Sequence, residues 1–129
     1  MNTDLSSLIP KTKFETEKVE AVIQLGFPAV QPILPELMEW IQDMNWPVAQ
    51  VLQPFLASIG APLEPYIREV LKTDDEIWKY WVLLLIIGES SELFKIFKPE
   101  LLRIASNPTL REQQEELNEI AKSVLEKMV

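Results

Sequence analysis

Apolar residues recur with the period of an α-helix from about residue 14 to the end of the chain. The clearest stripe is Val48, Val51, Leu52, Phe55, Leu56 and Ile59, in steps that keep one face of a helix apolar. Leu117, Ile120, Ala121, Val124, Leu125 and Met128 repeat that stripe, and Val19, Val22 and Ile23 form a shorter one. No segment alternates with period two, so the pattern predicts an all-α chain without a sheet.

Start and stop signals divide the pattern into about seven helices. Thr12 with Glu15, Thr73 with Glu76, and Thr109 with Glu112 each have the spacing of a capping box, in which a hydroxyl and a carboxylate satisfy orphan amides. Ser90-Ser91 before Glu92 reads as another start. Gly26, Gly60 and Gly88 each follow an apolar stretch, where a left-handed terminal residue is expected. Pro32 with Pro35 and Pro62 with Pro65 share one spacing, and each pair fits a first helical turn, where the missing N–H costs nothing. Pro54 falls inside a stripe and is expected to kink it, and Pro99 is expected to open the second half of a broken helix.

Aligning Pro35, Pro65 and Pro99 superposes Leu37, Ile67 and Leu101, then Trp40, Val70 and Ile104, then Asp43, Thr73 and Asn107. A unit of two antiparallel helices cannot bury its apolar face alone, so such units must stack. The expected architecture is a single domain over residues 1–129, a short right-handed HEAT-like superhelix of stacked antiparallel pairs. Its amphipathic last helix, with the polar stretch Arg111 to Glu116, would face solvent as a cap, and the acidic cluster Glu112 to Glu119 reads as a solvated face.

A chain of 129 residues is long enough for one independent core. Composition narrows its chemistry: without cysteine or histidine, disulfides, thiolate zinc sites, Ser-His-Asp triads and Cys-His pairs are all excluded. No catalytic residue, metal site or cofactor is assigned; Asp74-Asp75-Glu76 has magnesium-binding residue types but no phosphate cradle beside it. The start of the chain lacks the basic and apolar segments of a secretory signal, and the apolar run Tyr80 to Ile87 is too short to span a bilayer. A cytoplasmic location is expected. The net charge of −8 opposes nucleic acid and anionic membranes and favours a basic protein or peptide as partner.

Two segments stand apart from plain scaffold. Glu39 to Ala49 packs Trp40, Gln42, Asp43, Asn45 and Trp46 around a turn, and Asp74 to Trp81 places Trp78, Lys79 and Tyr80 at the comparable turn one repeat later. Capping, dipole compensation and gap filling account for such residues in many helical proteins. Their recurrence in adjacent turns makes Trp40, Gln42, Asp43, Asn45, Trp46, Trp78, Lys79 and Tyr80 the candidate ligand- or partner-binding set. Stacked turns would bring all four tryptophans near one another.

The run Leu37 to Val48, LMEWIQDMNWPV, together with Ile9-Pro10-Lys11 and Trp78-Lys79-Tyr80, resembles a bacterial family, domain of unknown function 5071. The resemblance extends from Leu8 to about Ile87. It implies a helical repeat with no assigned activity, and a signature comprising Trp40, Gln42, Asp43, Asn45, Trp46, Pro47, Trp78, Lys79 and Tyr80.

The leading expectation is therefore a non-catalytic module that binds a protein or peptide, in one version an acidic antagonist of a basic partner. A rival from another class is an enzyme acting on modified nucleic-acid bases, by HEAT-like analogy, with Asp43 beside Trp46 and Trp78. It would need Lys11, Lys13, Lys18, Lys79 and Lys95 on one face, and twenty acidic residues outnumber twelve basic ones. A third option is a purely structural domain.

Overall fold

The computed structural model describes residues 4–128, which form eight α-helices with no strand among the described residues. They are α1 (Thr16–Leu25), α2 (Leu34–Glu39), α3 (Pro47–Ile59), α4 (Glu64–Leu71), α5 (Glu76–Trp81), α6 (Ser91–Ser106), α7 (Leu110–Gln114) and α8 (Leu117–Met128). The proline pairs behave alike. Pro32 and Pro62 sit in short 3-10 turns, Gln31–Ile33 and Ala61–Leu63, and Pro35 and Pro65 occupy the first turns of α2 and α4. Only amides without helical partners are lost at these positions.

Several helices pack on an element two places along the chain. α1 lies on α3, α3 on the segment Val82–Glu89, and that segment on α8, while α2 meets α4, and the turn before α4 meets α6. The most extensive pairing joins α6 to α8. Leu37, Ile67 and Leu101, aligned by the proline register, are completely buried in α2, α4 and α6. Val48, Leu52 and Leu56 do the same for the α3 stripe, and Leu117, Ala121 and Val124 for α8. Each such aliphatic side chain contributes about 1.5–3 kcal/mol of burial energy, Ala121 less.

The run after α5 is wider than an α-helix. Val82–Ile86 forms a π-helical turn, closed where the Ile87 N–H reaches the carbonyls of both Leu83 and Val82. Gln53 of α3 donates to the Leu85 carbonyl at 2.7 Å and ties the two elements together. No helix among the described residues is long and apolar enough to cross a membrane.

Several local expectations are corrected. At residues 12–15 only half the capping box exists: Glu15 Oε1 accepts from the amides of Lys11 (2.6 Å) and Thr12 (2.9 Å), and the helix starts at Thr16. The Lys11 amide, then Lys18 and the Thr12 amide, hold the Glu15 carboxyl below its usual range. At residues 73–76 the cap is Asp75, whose carboxylate accepts from the Trp78 amide, while the Thr73 hydroxyl donates back to the Val70 carbonyl. Thr109 and Glu112 do form the full box, and Ser90 caps α6. Gly26 and Gly60 have positive φ, +72° and +76°. Gly88 does not; an added Cβ would lie 3.2 Å from the Leu83 carbonyl and 3.3 Å from Val124, so glycine there permits close packing of α8. Pro99 sits inside α6 without ending it.

The C-terminal region departs furthest from expectation. Arg111 to Glu116 is not part of the last helix, because α7 ends at Gln114 and Glu116 takes a left-handed φ of +60° before α8 begins. Glu112 is not solvated either. Its side chain is buried and receives two hydrogen bonds from Arg103 of α6, at 3.1 and 2.7 Å. Burial pushes its carboxyl up, but the Arg103 guanidinium and the Thr109 amide outweigh that and leave it below its ordinary value.

Candidate functional site

Local backbone chemistry positions the first pair of indoles. Asp43 Oδ1 accepts from the Asn45 amide at 2.9 Å and the Asp43 carbonyl accepts from the Trp46 amide at 3.2 Å, closing a tight turn after α2. Trp46 precedes Pro47 and is therefore extended, with φ −71° and ψ 131°, so α3 starts at the proline. That reversal returns Trp46 to Trp40, with ring centroids 5.4 Å apart and planes at 74°. Both indoles, with Ile9, Pro10, Glu36, Glu39 and Gln42, line an open cavity of about 290 Å³.

Trp78 belongs to a neighbouring cavity. Its amide caps on Asp75, and its indole N–H donates to the Met38 carbonyl of α2 at 3.0 Å, forty residues away in sequence. This bond holds the ring across the end of the seam between α2 and α4. The seam is a groove of about 480 Å³ floored by Met38, Val70 and Trp78, walled by Pro35, Pro65 and Tyr66, with Glu39 and Glu69 on its rim. No lysine or arginine lines it. Glu69 meets Lys72 at 3.4 Å with both side chains more than 70% exposed, a pair too wet to neutralise the rim.

The remaining candidates divide differently from the expectation. Trp81 does not join the other tryptophans: Ile77, Tyr80 and Trp81 share a face of α5 and turn toward Gln114, Glu115 and Glu116, lining a third cavity of about 330 Å³. Tyr80 packs edge-on against Trp81, with centroids 5.0 Å apart. Lys79 points inward, largely buried, to Glu76 at 3.2 Å, and the second Glu76 oxygen has no hydrogen-bond partner among the described residues. Asp74, Asp75 and Glu76 thus go three ways, to an exposed pair with Arg111, to a cap and to a buried ion pair with Lys79. No group of three or more acidic residues among the described residues could hold a metal ion. Of the lysines required by a cationic face, Lys18 and Lys79 are paired with Glu15 and Glu76.

Sequence reasoning missed Tyr66, Glu69, Glu36, Pro35 and Pro65 as lining residues. The available signal was the shared proline spacing, which places equivalent first turns opposite each other across the seam.

Residues 8–125 match the model of one protein family, Domain of unknown function (DUF5071). No curated protein sequence matches the chain.

Proposed function

The chain belongs to the DUF5071 family, and from its own surface we propose that it is a non-catalytic module that binds a peptide or protein segment in the groove between α2 and α4. The observation that carries this reading is one juxtaposition: an apolar floor of Met38, Val70 and Trp78 beside the carboxylates of Glu39 and of Glu69, the latter in an exposed pair with Lys72. An apolar side chain seated on that floor, next to a lysine or arginine at the rim, would satisfy both. The net charge of −8 adds a long-range field of the same preference. The partner is accordingly a basic segment with apolar anchors, and an acidic antagonist covering a basic protein is the cellular form of this activity, in the cytoplasm.

We read the architecture as a HEAT-like solenoid in one domain. Support comes from the next-but-one packing of helices and from the burial of Leu37, Ile67 and Leu101 in equivalent helices. In such an array, seams between successive helices are the natural recognition surface.

Selection from a random peptide library against the purified chain tests the reading. Sequences that place an apolar or aromatic residue beside Lys or Arg should be enriched, their binding should weaken as salt rises, and Glu69→Lys with Tyr66→Ala should abolish it. Enrichment of acidic sequences, or binding indifferent to both substitutions, would sink it.

A further inference from the structure

The cavity holding Trp40 and Trp46 is distinct from the peptide groove, although Glu39 lines both. We propose that it is a binding site for a methylated or quaternary ammonium ion. Three features converge there. First, the two indoles stand at 74° with centroids 5.4 Å apart, so they form two walls of a corner, and both line the cavity. The electron-rich faces of tryptophan attract a cation more strongly than those of any other side chain. Second, Glu36 and Glu39 lie one helical turn apart on α2 and line the same cavity, and neither is ion-paired among the described residues. Third, the remaining lining residues, Ile9, Pro10 and Gln42, carry no charge, so nothing in the cavity repels a cation. Lys11, next to Pro10, is exposed and is not among the lining side chains.

These features select against the alternatives. A bare metal ion would require several oxygen ligands at short range, whereas two indole walls offer it none. An anion would meet two carboxylates. A neutral apolar group would gain from the indoles and Pro10 but leave both carboxylates uncompensated. An ammonium carrying methyl groups meets aromatic faces with its methyls and carboxylates with its charge, and it loses little hydration on entering. Such a group reaches a protein from two sources: a free small molecule such as choline, or a methylated lysine side chain on another protein.

The four indole N–H resonances of the folded chain, assigned with single Trp→Phe variants, provide the readout. The chain is titrated at matched ionic strength with choline, with its neutral isostere 3,3-dimethylbutan-1-ol, and with a short peptide bearing trimethyllysine or unmodified lysine. Choline, the trimethyllysine peptide or both should move the Trp40 and Trp46 resonances saturably, while Trp78 and Trp81 stay in place. The neutral alcohol should bind about tenfold more weakly or worse, as expected when a desolvated cation–π contact is lost. Which of the two cationic probes binds more tightly identifies the source. Glu36→Gln with Glu39→Gln, both at exposed positions, should weaken binding without unfolding the chain. Equal binding of the neutral isostere, shifts confined to Trp78 or Trp81, indifference to the glutamine substitutions, or no shift with either cation would overturn the proposal. The peptide-groove reading is judged on Tyr66 and Glu69, so the two can fail separately.

Discussion

Helix α4 has a neighbour on each side, and the two seams differ. Toward α2 the surface is an open groove, with Tyr66, Val70 and Trp78 facing a cavity of about 480 Å³. Toward α6 the equivalent strip is narrower: Arg68 lies over the Phe97 ring at 4.9 Å and is held there by Glu64 at 2.6 Å, leaving a charged cavity of only about 190 Å³ with Leu71, Lys72 and Glu100. α2 and α4 share a 3-10 turn and a proline-led start, whereas α6 starts on the Ser90 cap and carries Pro99 inside it. What separates them is the residue bridging the gap. A long cationic side chain on an aromatic ring narrows one seam, while the indole of Trp78, anchored at its edge to the Met38 carbonyl, leaves the other broader and apolar. Helix packing therefore supplies the seam, and one or two side chains decide how much of it stays open.

The narrower seam should be the more stability-critical. Phe97→Ala, which empties a fully buried site, should cost about 3–5 kcal/mol in urea or thermal unfolding. Were the loss no greater than for Tyr66→Ala in the open seam, the contrast would be void. The next effect lies on the far side of α6, where Arg103 and Glu112 fasten α7. Glu112→Gln should cost about 2 kcal/mol at neutral pH, the usual value of hydrogen bonds to a charged group. The folded carboxyl lies below its ordinary value of 4.5, so its contribution is present above that pH and lost as pH falls through the folded value. Wild type and variant should therefore converge in acid, and a pH-independent gap would contradict the ion-pair account. Arg68→Ala should cost only about 0.5–1 kcal/mol, because the guanidinium is half exposed, yet it should uncover Phe97 to solvent. Of similar size, Tyr66→Ala should change stability by about 1 kcal/mol or less while removing a wall of the groove, the combination the proposed binding role requires. Equilibrium unfolding of the four variants under one set of conditions checks this order.

Much of this architecture was legible in the sequence because its signals are local. The stripes at Val48–Ile59 and Leu117–Met128 bury the faces their spacing indicates, and Leu37, Ile67 and Leu101, aligned by the prolines, are all completely buried. Features that depend on distant partners were not legible. Glu112 reads as one carboxylate in an acidic run until Arg103, nine residues earlier on another helix, is placed against it. Three successive residues at positions 73–75 have side chains suited to capping, and competition among them, won by Asp75, has no sequence signature. Of the candidate site, Trp40, Gln42, Trp46 and Trp78 line the two adjoining cavities, whereas Lys79 is consumed by Glu76 and Tyr80 faces the α7–α8 connection. Helical rotation between Trp78 and its neighbours separates them, and that rotation is visible only once the neighbours of α5 are known.

The most direct test of an open α2/α4 seam is a shift-mapping titration of the isotopically labelled chain with the peptide most enriched in the library selection. The account predicts that the Trp78 indole N–H and the amides of Glu39, Glu69 and Val70 move together, and that the α6 side of α4 stays still. Shifts centred on Phe97, on α8 or spread evenly over the surface would contradict it.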